Sequence, residues 1–217
     1  FRLSNVPVPF TMGHEFCGQV VEVGSRVEGI SIGDYVCGET HVPCDICTTC
    51  KQGRRHLCPD MGLIGRTVDG CFAEYMVLPA VSAVVIPKEI EPETACLFEP
   101  FGVAVHAVQE ADVSGKTLLI TGTGTIGSMA LECAANLGAV KIIVTSRDRE
   151  KLAIAKKLGA DAVVLTTEEN LHEKVMEITD GEGVDRIIEM TGKSNLFQDG
   201  LDVLKPGGKM VCVGNHN

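Results

Sequence analysis

The chain has 217 residues, 45% of them hydrophobic, with 19 basic against 29 acidic side chains and a formal net charge of -10. That length suffices for one large or two modest cores, while the acidic balance and the lack of tryptophan argue against a nucleic-acid surface, which needs basic stripes or stacking aromatics. No apolar run approaches the roughly 18 residues of a spanning helix and no charged-then-apolar leader opens the chain, so neither a membrane nor a secretory route is expected; the cytoplasm is, and there clustered cysteines stay reduced.

The chain opens at Phe1 on the loop-like "FRLSNVPVP" and closes on "GGKMVCVGNHN", directly after an apolar strand pattern, so both ends read as cut from a longer protein. From Gly18 to Tyr75 short β-type stretches, "GQVVEVG", "GDYVCGE" and "CFAEYMVLP", are separated by Gly, Pro and Asp, which predicts a compact β-rich domain. After "EPETACLFEPFGVAVHAVQEA" strands and helices alternate: "KTLLIT", "GSMALECAANLG", "VKIIVT" and "DREKLAIAKKLG", followed by the strand candidates "AVVL", "VDRIIEM" and "KMVCV". That alternation predicts an α/β domain built of βαβ units. In its first helix Ile126, Ala130, Cys133, Ala134 and Leu137 recur at helical spacing and Gly138 supplies the stop. The boundary is placed at residue 100, giving domains over 1–100 and 101–217.

Cys44, Cys47, Cys50 and Cys58 form C-x2-C-x2-C-x7-C, which lets one loop wrap four sulfurs around a tetrahedral zinc ion; the alternative is four unligated thiols. Four thiolates would leave zinc a net negative charge and no open position, so such a site braces a loop and does not polarise a substrate. His14 and Glu15, in "GHE", suit catalysis better, because an imidazole and a carboxylate keep a metal electrophilic and leave room for a substrate oxygen. An adjacent His and Glu is also a common surface pair. Glu99, in "FEPFG", is a carboxylate at an apolar helix start and reads equally as a helix-capping acid.

"TGTGTIG" places Gly122, Gly124 and Gly127 as G-x-G-x-x-G between a strand and a helix that Thr125 and Ile126 open. There glycine lets the backbone approach a dinucleotide pyrophosphate at the helix N-terminus, with a phosphate-free structural turn as the alternative. About nineteen residues beyond Gly127, where an NAD site would carry Asp or Glu, stand Ser146 and Arg147. An arginine there can pair with the 2'-phosphate of NADP, so the expected cofactor is NAD(P), leaning to NADP; a solvated Arg147 is the alternative. His41, in "GETHVPC", is either a group reaching the substrate or a surface histidine. Cys17, Cys37, Cys71, Cys96, Cys133 and Cys212 read as small core residues.

In this order, the cysteine loop, the GHE pair and the glycine fingerprint resemble the zinc-dependent medium-chain dehydrogenases, and the resemblance covers essentially the whole chain. "VPVPFTMGHEF", "DGCFAEYMVLP", "FEPFGVAVHAV", "GEGVDRIIEMTG" and "LKPGGKMVCVG" carry it further. It implies a β-rich GroES-like catalytic lobe followed by a Rossmann domain with a doubly wound parallel sheet, both incomplete. It also implies that His14 and Glu15 bind catalytic zinc, that Glu99 is a fourth or exchanging ligand, and that the four clustered cysteines hold structural zinc. A further cysteine ligand and a C-G-x-D-x-H motif of the family would fall before Phe1. Glu99, where alcohol dehydrogenases carry a second cysteine ligand, points to the threonine- and polyol-oxidising branch. The implied reaction is hydride transfer from a secondary alcohol, threonine first and sorbitol- or butanediol-type polyols as the alternative, to NAD(P) in a homo-oligomer, commonly a tetramer. A zinc-braced nucleotide sensor without turnover is the rival outside the enzymes; it would need no open His14–Glu15 metal site.

Overall fold

The computed structural model describes residues 8–215, and the chain divides into two units, residues 1–99 and 100–217. Of the loop expected at residues 1–9, residues 1–7 lie outside the described residues. In the first unit short strands carry the fold: β1 (Gly18–Gln19), β2 (Tyr35–Gly38) and β3 (His41–Val42) precede the one-turn helix α1 (Thr48–Lys51), and β4 (Gly62–Leu63), β5 (Ala83–Val85) and α2 (Pro92–Ala95) follow. β2 pairs antiparallel with both β1 and β5, and β3 pairs antiparallel with β4. Cys37, Ile86 and Ala95 form a small buried core there, with Cys17 and Phe98 packed against it.

The expected strand in "CFAEYMVLP" is not formed. Its first residues pair instead with the loop before the GHE pair, Cys71 N–H donating to Gly13 O at 3.0 Å and Phe72 N–H to Met12 O at 2.9 Å. Beyond Ala73 no strand among the described residues takes up the backbone, and Tyr75 and Val77 stand 74% and 91% exposed. Alternating apolar residues specify a strand only where a neighbour accepts its hydrogen bonds and one face is covered.

α3 (Phe98–Ala111) opens the second unit's architecture: Pro100, Ala104, Ala107, Val108 and Ala111 recur at helical spacing and are buried. Then β6 (Thr117–Thr121), α4 (Thr125–Asn136), β7 (Lys141–Ser146), α5 (Arg149–Lys157), β8 (Ala162–Leu165), α6 (Leu171–Ile178), β9 (Val184–Glu189), α7 (Ser194–Leu201) and β10 (Leu204–Cys212) alternate. The sheet order is β10-β9-β6-β7-β8 with every pair parallel. Strands covered on both faces read as continuous apolar runs, and successive residues divide between two cores. Leu118, Ile120, Ile142, Val144 and Ile188 pack with Ala107, Ala130 and Leu131. Leu119, Ile143 and Ile187 pack with Leu171 and Val175 on the opposite face.

The sequence patterning did not single out α6 and α7; each has eight residues, and "LHEKVMEI" and "SNLFQDGL" carry thin apolar stripes. Parallel pairing requires such crossovers regardless. The six scattered cysteines divide by environment: Cys37 is buried, Cys17, Cys71, Cys96 and Cys133 are partly buried, and Cys212 is exposed on β10, where the expectation of a core residue fails. Among the described residues β10 lies at the edge of the sheet, with Val211 packed against one core and Met210 against the other. No helix among the described residues is long and apolar enough to cross a membrane.

Candidate functional site

The cysteine loop is folded around its sulfurs. Cys47 caps α1 with its sulfur accepting from Cys50 N–H, and the amides of Cys44 and Cys47 point at the sulfurs of Cys58 and Cys44, each at 3.4 Å. Arg55 makes two bonds to the Asp45 carboxylate, at 2.7 and 2.9 Å, and so ties the two halves of the loop. All four sulfurs lie within 4.8 Å of one another, near the roughly 3.8 Å edge of a tetrahedron with Zn–S bonds of about 2.3 Å. The amides of Ile46 and Cys47 bring the Cys44 thiol down to about 7. Desolvation, then the neighbouring thiols of Cys47 and Cys58, push Cys50 up to about 12. One thiolate forms readily and the last resists, so the set as a whole fits a thiophilic dication that supplies the missing positive charge.

The second cluster brings together residues far apart in sequence. The ligating atoms of His14, Glu15 and Glu99 lie within 4.8 Å of one another, Glu15 exposed and the other two partly buried. His14 follows a strained turn: Gly13 has φ +94°, and its carbonyl oxygen would sit 2.0 Å from a Cβ on Gly70, so both positions exclude a side chain. Bonds from Gly70, Cys71 and Phe72 to Thr11, Gly13 and Met12 then fix the segment. Glu99 enters from the first turn of α3, where Thr40 Oγ1 donates to its Oε1 at 2.7 Å. Glu99 is thus braced by a buried hydroxyl. One nitrogen and two carboxylates form a mixed donor set that fits zinc while leaving coordination free, the opposite of the closed thiolate cage.

His41 belongs to neither ligand set, with 47% of its side chain exposed. Its Nδ1 meets Glu39 Oε1 at 2.5 Å, and its backbone N–H donates to the same oxygen at 2.9 Å. Burial would raise the Glu39 carboxyl, but these bonds from His41 outweigh it and hold Glu39 below the usual carboxylate range. A carboxylate only accepts, so Nδ1 carries the hydrogen and Nε2 is left facing away from Glu39.

In the second unit the strand ends form a crevice of about 520 Å³ that includes Gly122, Gly124, Ser146 and Arg147. It lies where β7 departs from β6 on one side and β9 on the other, the topological switch point at which open α/β sheets bind ligands. Gly122 has φ +97°, and a Cβ on Gly127 would fall 2.2 Å from Gly122 O. A Cβ on Gly124 would meet nothing within 4 Å and would project into open space. α4 begins at Thr125 and Ile126 with no side-chain cap from Gly124, so its first amides are available to a pyrophosphate, which fits this cradle. The Thr123 hydroxyl is buried without a hydrogen-bond partner in the same wall. Ser146 Oγ accepts from Asp148 N–H at 3.2 Å, and exposed Arg147 has no side-chain partner among the described residues. Lys151 and Lys193 line the crevice as well.

Thr40, Glu39, Lys151 and Lys193 escape a reading of the sequence alone. Lys151 had a usable signal, standing four residues after Arg147 at the start of a helix. Glu39 is set by a local bond to His41 two residues on, whereas Thr40 and Lys193 are placed by tertiary contact and have no local signature.

Residues 2–88 match the family model of the alcohol dehydrogenase GroES-like domain, and residues 125–217 that of the zinc-binding dehydrogenase. L-threonine 3-dehydrogenase of Pyrococcus furiosus is 44% identical over 211 residues, 97% of this chain and 61% of the relative. Among solved structures, a zinc-binding dehydrogenase of Sinorhizobium meliloti bound to NADP superposes with a TM-score of 0.93 at 33% identity, over 99% of this chain and 64% of that one. Galactitol-1-phosphate dehydrogenase of Escherichia coli superposes with a TM-score of 0.91 at 31% identity, over 97% of this chain and 61% of that one. The chain therefore spans about three fifths of the length of the relatives it matches.

Proposed function

Because the chain belongs to the zinc-dependent medium-chain dehydrogenase family, we propose that it is the zinc- and dinucleotide-binding portion of an oxidoreductase that takes a hydride from the secondary alcohol of L-threonine. The observation that carries this reading is the convergence of His14, Glu15 and Glu99, with Thr40 holding Glu99. Zinc at these three residues would supply Lewis acidity toward a substrate hydroxyl, and NAD(P) in the crevice would accept the hydride.

The division of two zinc sites into catalytic and structural follows from charge. Four thiolates around a dication sum to -2, whereas two carboxylates and a neutral imidazole sum to zero, so only the second set keeps an attraction for substrate oxygen. The residues around it orient and handle protons. Thr40 holds one Glu99 oxygen, leaving the other for metal. Glu39 fixes the His41 ring, whose Nε2 accepts from a substrate ammonium when the ring is neutral and donates to the substrate carboxylate when it is protonated. In the crevice Gly124 leaves room for the pyrophosphate, and Arg147 favours the 2'-phosphate of NADP over the bare hydroxyl of NAD.

The similarity to galactitol-1-phosphate dehydrogenase keeps a polyol as the second reading. Assaying the protein with L-threonine, D-threonine, sorbitol and 2,3-butanediol, each under saturating NAD and NADP, decides between them. L-threonine should have the highest kcat/KM; a higher value for sorbitol or butanediol with either cofactor gives the site to a polyol and removes the role assigned to His41.

A further inference from the structure

Glu189, the last residue of β9, is a fully buried carboxylate in a sheet whose buried side chains are mostly Leu, Ile and Val. An apolar residue would serve the core better, since a buried carboxylate is tolerated only when its oxygens are satisfied. They are. Oε1 accepts from Thr121 Oγ1 at 3.2 Å, from Thr191 N–H at 2.8 Å and from Thr191 Oγ1, while Oε2 accepts from Gly192 N–H at 3.0 Å. Thr121 ends β6 immediately before Gly122, and Thr191 and Gly192 begin the turn into α7. One side chain therefore ties together the two strand ends that flank the switch point.

The bonds continue to the crevice. Lys193 N–H donates to Thr191 Oγ1 at 3.2 Å, so Glu189, Thr191 and Lys193 form a chain, and both of the latter line the crevice. Thr191 Cγ2 would lie 2.9 Å from a Cβ on Gly122, so the turn is pressed against the first glycine of the fingerprint. The third strand end joins through the Glu189 carbonyl, which accepts from Val213 and Gly214 N–H at 2.8 and 3.0 Å.

We propose that Glu189 is a positioning residue for the dinucleotide crevice, holding the β9–α7 turn and its Thr191 and Lys193 in the shape that the cofactor meets. The inference rests on the reading of the crevice as the NAD(P) site. A glutamine at 189 keeps one accepting oxygen but turns an N–H2 toward a backbone or hydroxyl donor, so one edge of the turn is released. Since the turn shapes the part of the crevice common to both cofactors, Glu189→Gln should weaken NAD and NADP by the same factor, roughly tenfold or more.

The test is calorimetric titration of the purified protein with NAD and NADP, well below the melting temperature of each variant, with zinc content measured in parallel. Equal weakening of both cofactors in Glu189→Gln at unchanged zinc content is the expected result. Wild-type affinity in that variant, or weakening confined to NADP, overturns the proposal. Should Glu189→Gln fail to fold, Thr121→Val decides, because Thr121 touches Glu189 outside the crevice lining: a severalfold loss for both cofactors at near-normal Tm supports positioning, and unchanged affinity overturns it. If the wild type binds neither cofactor, the dinucleotide reading itself fails, a result separate from any difference between variants.

Discussion

Replacing Thr40 by valine removes one hydroxyl, changes the volume little, and isolates what that hydroxyl does for Glu99. Thr40 is 6% exposed, and its Oγ1 donates to Glu99 Oε1 at 2.7 Å, so water has little access to take its place. A hydrogen bond to a charged group contributes about 1.5–3 kcal/mol. Loss of a partner that orients a metal ligand costs about 10–100-fold in metal affinity, which converts to about 1.4–2.8 kcal/mol. The two routes agree, so Thr40→Val should weaken zinc at His14, Glu15 and Glu99 by one to two decades. The cysteine cage provides an internal reference, because its sulfurs are held by their own loop amides and by Asp45 and Arg55. Chelator competition should therefore resolve two zinc populations, with only the weaker shifted by the substitution, and Thr40→Ser should restore it. Two unshifted populations in Thr40→Val, or a serine variant as impaired as the valine one, would refute the reasoning.

Cys47→Ser keeps a good helix cap for α1 but removes a sulfur, so it should lower Tm and zinc content together, while His14→Ala should abolish turnover with Tm nearly retained; equal loss of folding in both would sink the division of roles. Arg147→Ala should reduce NADP affinity roughly ten- to a hundredfold and leave NAD affinity nearly unchanged, as read by titration with each cofactor. Asp185 accepts from Thr117 N–H at 2.9 Å, and that bond, with Lys205 nearby and against a desolvation penalty, lowers its carboxyl from the ordinary 3.8. A depressed folded value means that the contribution is complete above about pH 4 and is lost as pH falls through the folded value, so the Tm deficit of Asp185→Asn should shrink on acidification. A deficit of equal size at neutral and strongly acidic pH contradicts this.

The second unit was legible because its signals are local. "KTLLIT", "VKIIVT" and "VDRIIEM" are apolar-rich runs buried on both faces, and Gly122 and Gly127 of "TGTGTIG" each answer a short-range demand that spacing reveals. The four cysteines were legible for the same reason, as one loop holds them all. Glu99 and the GHE pair lie more than eighty residues apart in the chain, and neither alone carries a metal-ligand spacing. Their convergence depends on α3 and on the turn that Gly13 and Gly70 make possible, which only family resemblance anticipated. "CFAEYMVLP" was misread because alternation registers a preference for half-burial and says nothing of whether a neighbouring strand is present to pair. Glu189 lay hidden within "VDRIIEM", where periodicity treats an acid as an interruption and cannot tell that its oxygens close the switch point.

Charge distribution connects the crevice to the acidic chain around it. Arg55, Arg149, Lys174, Arg186, Lys205 and Lys209 all face carboxylates. Arg147, Lys151 and Lys193 have no such side-chain partner among the described residues and line one crevice. Asp148 lines it too, but its Oδ1 accepts from the amides of Glu150 and Lys151 at the start of α5, which turns part of its charge toward the helix. With a Debye length of about 8 Å at physiological ionic strength, the net charge of -10 is largely screened at a distance while cations within the crevice act at contact range. On the proposed reading the 2'-phosphate of NADP would meet Arg147 and Lys151, and because these two share the work, Arg147→Ala should weaken NADP without abolishing its binding.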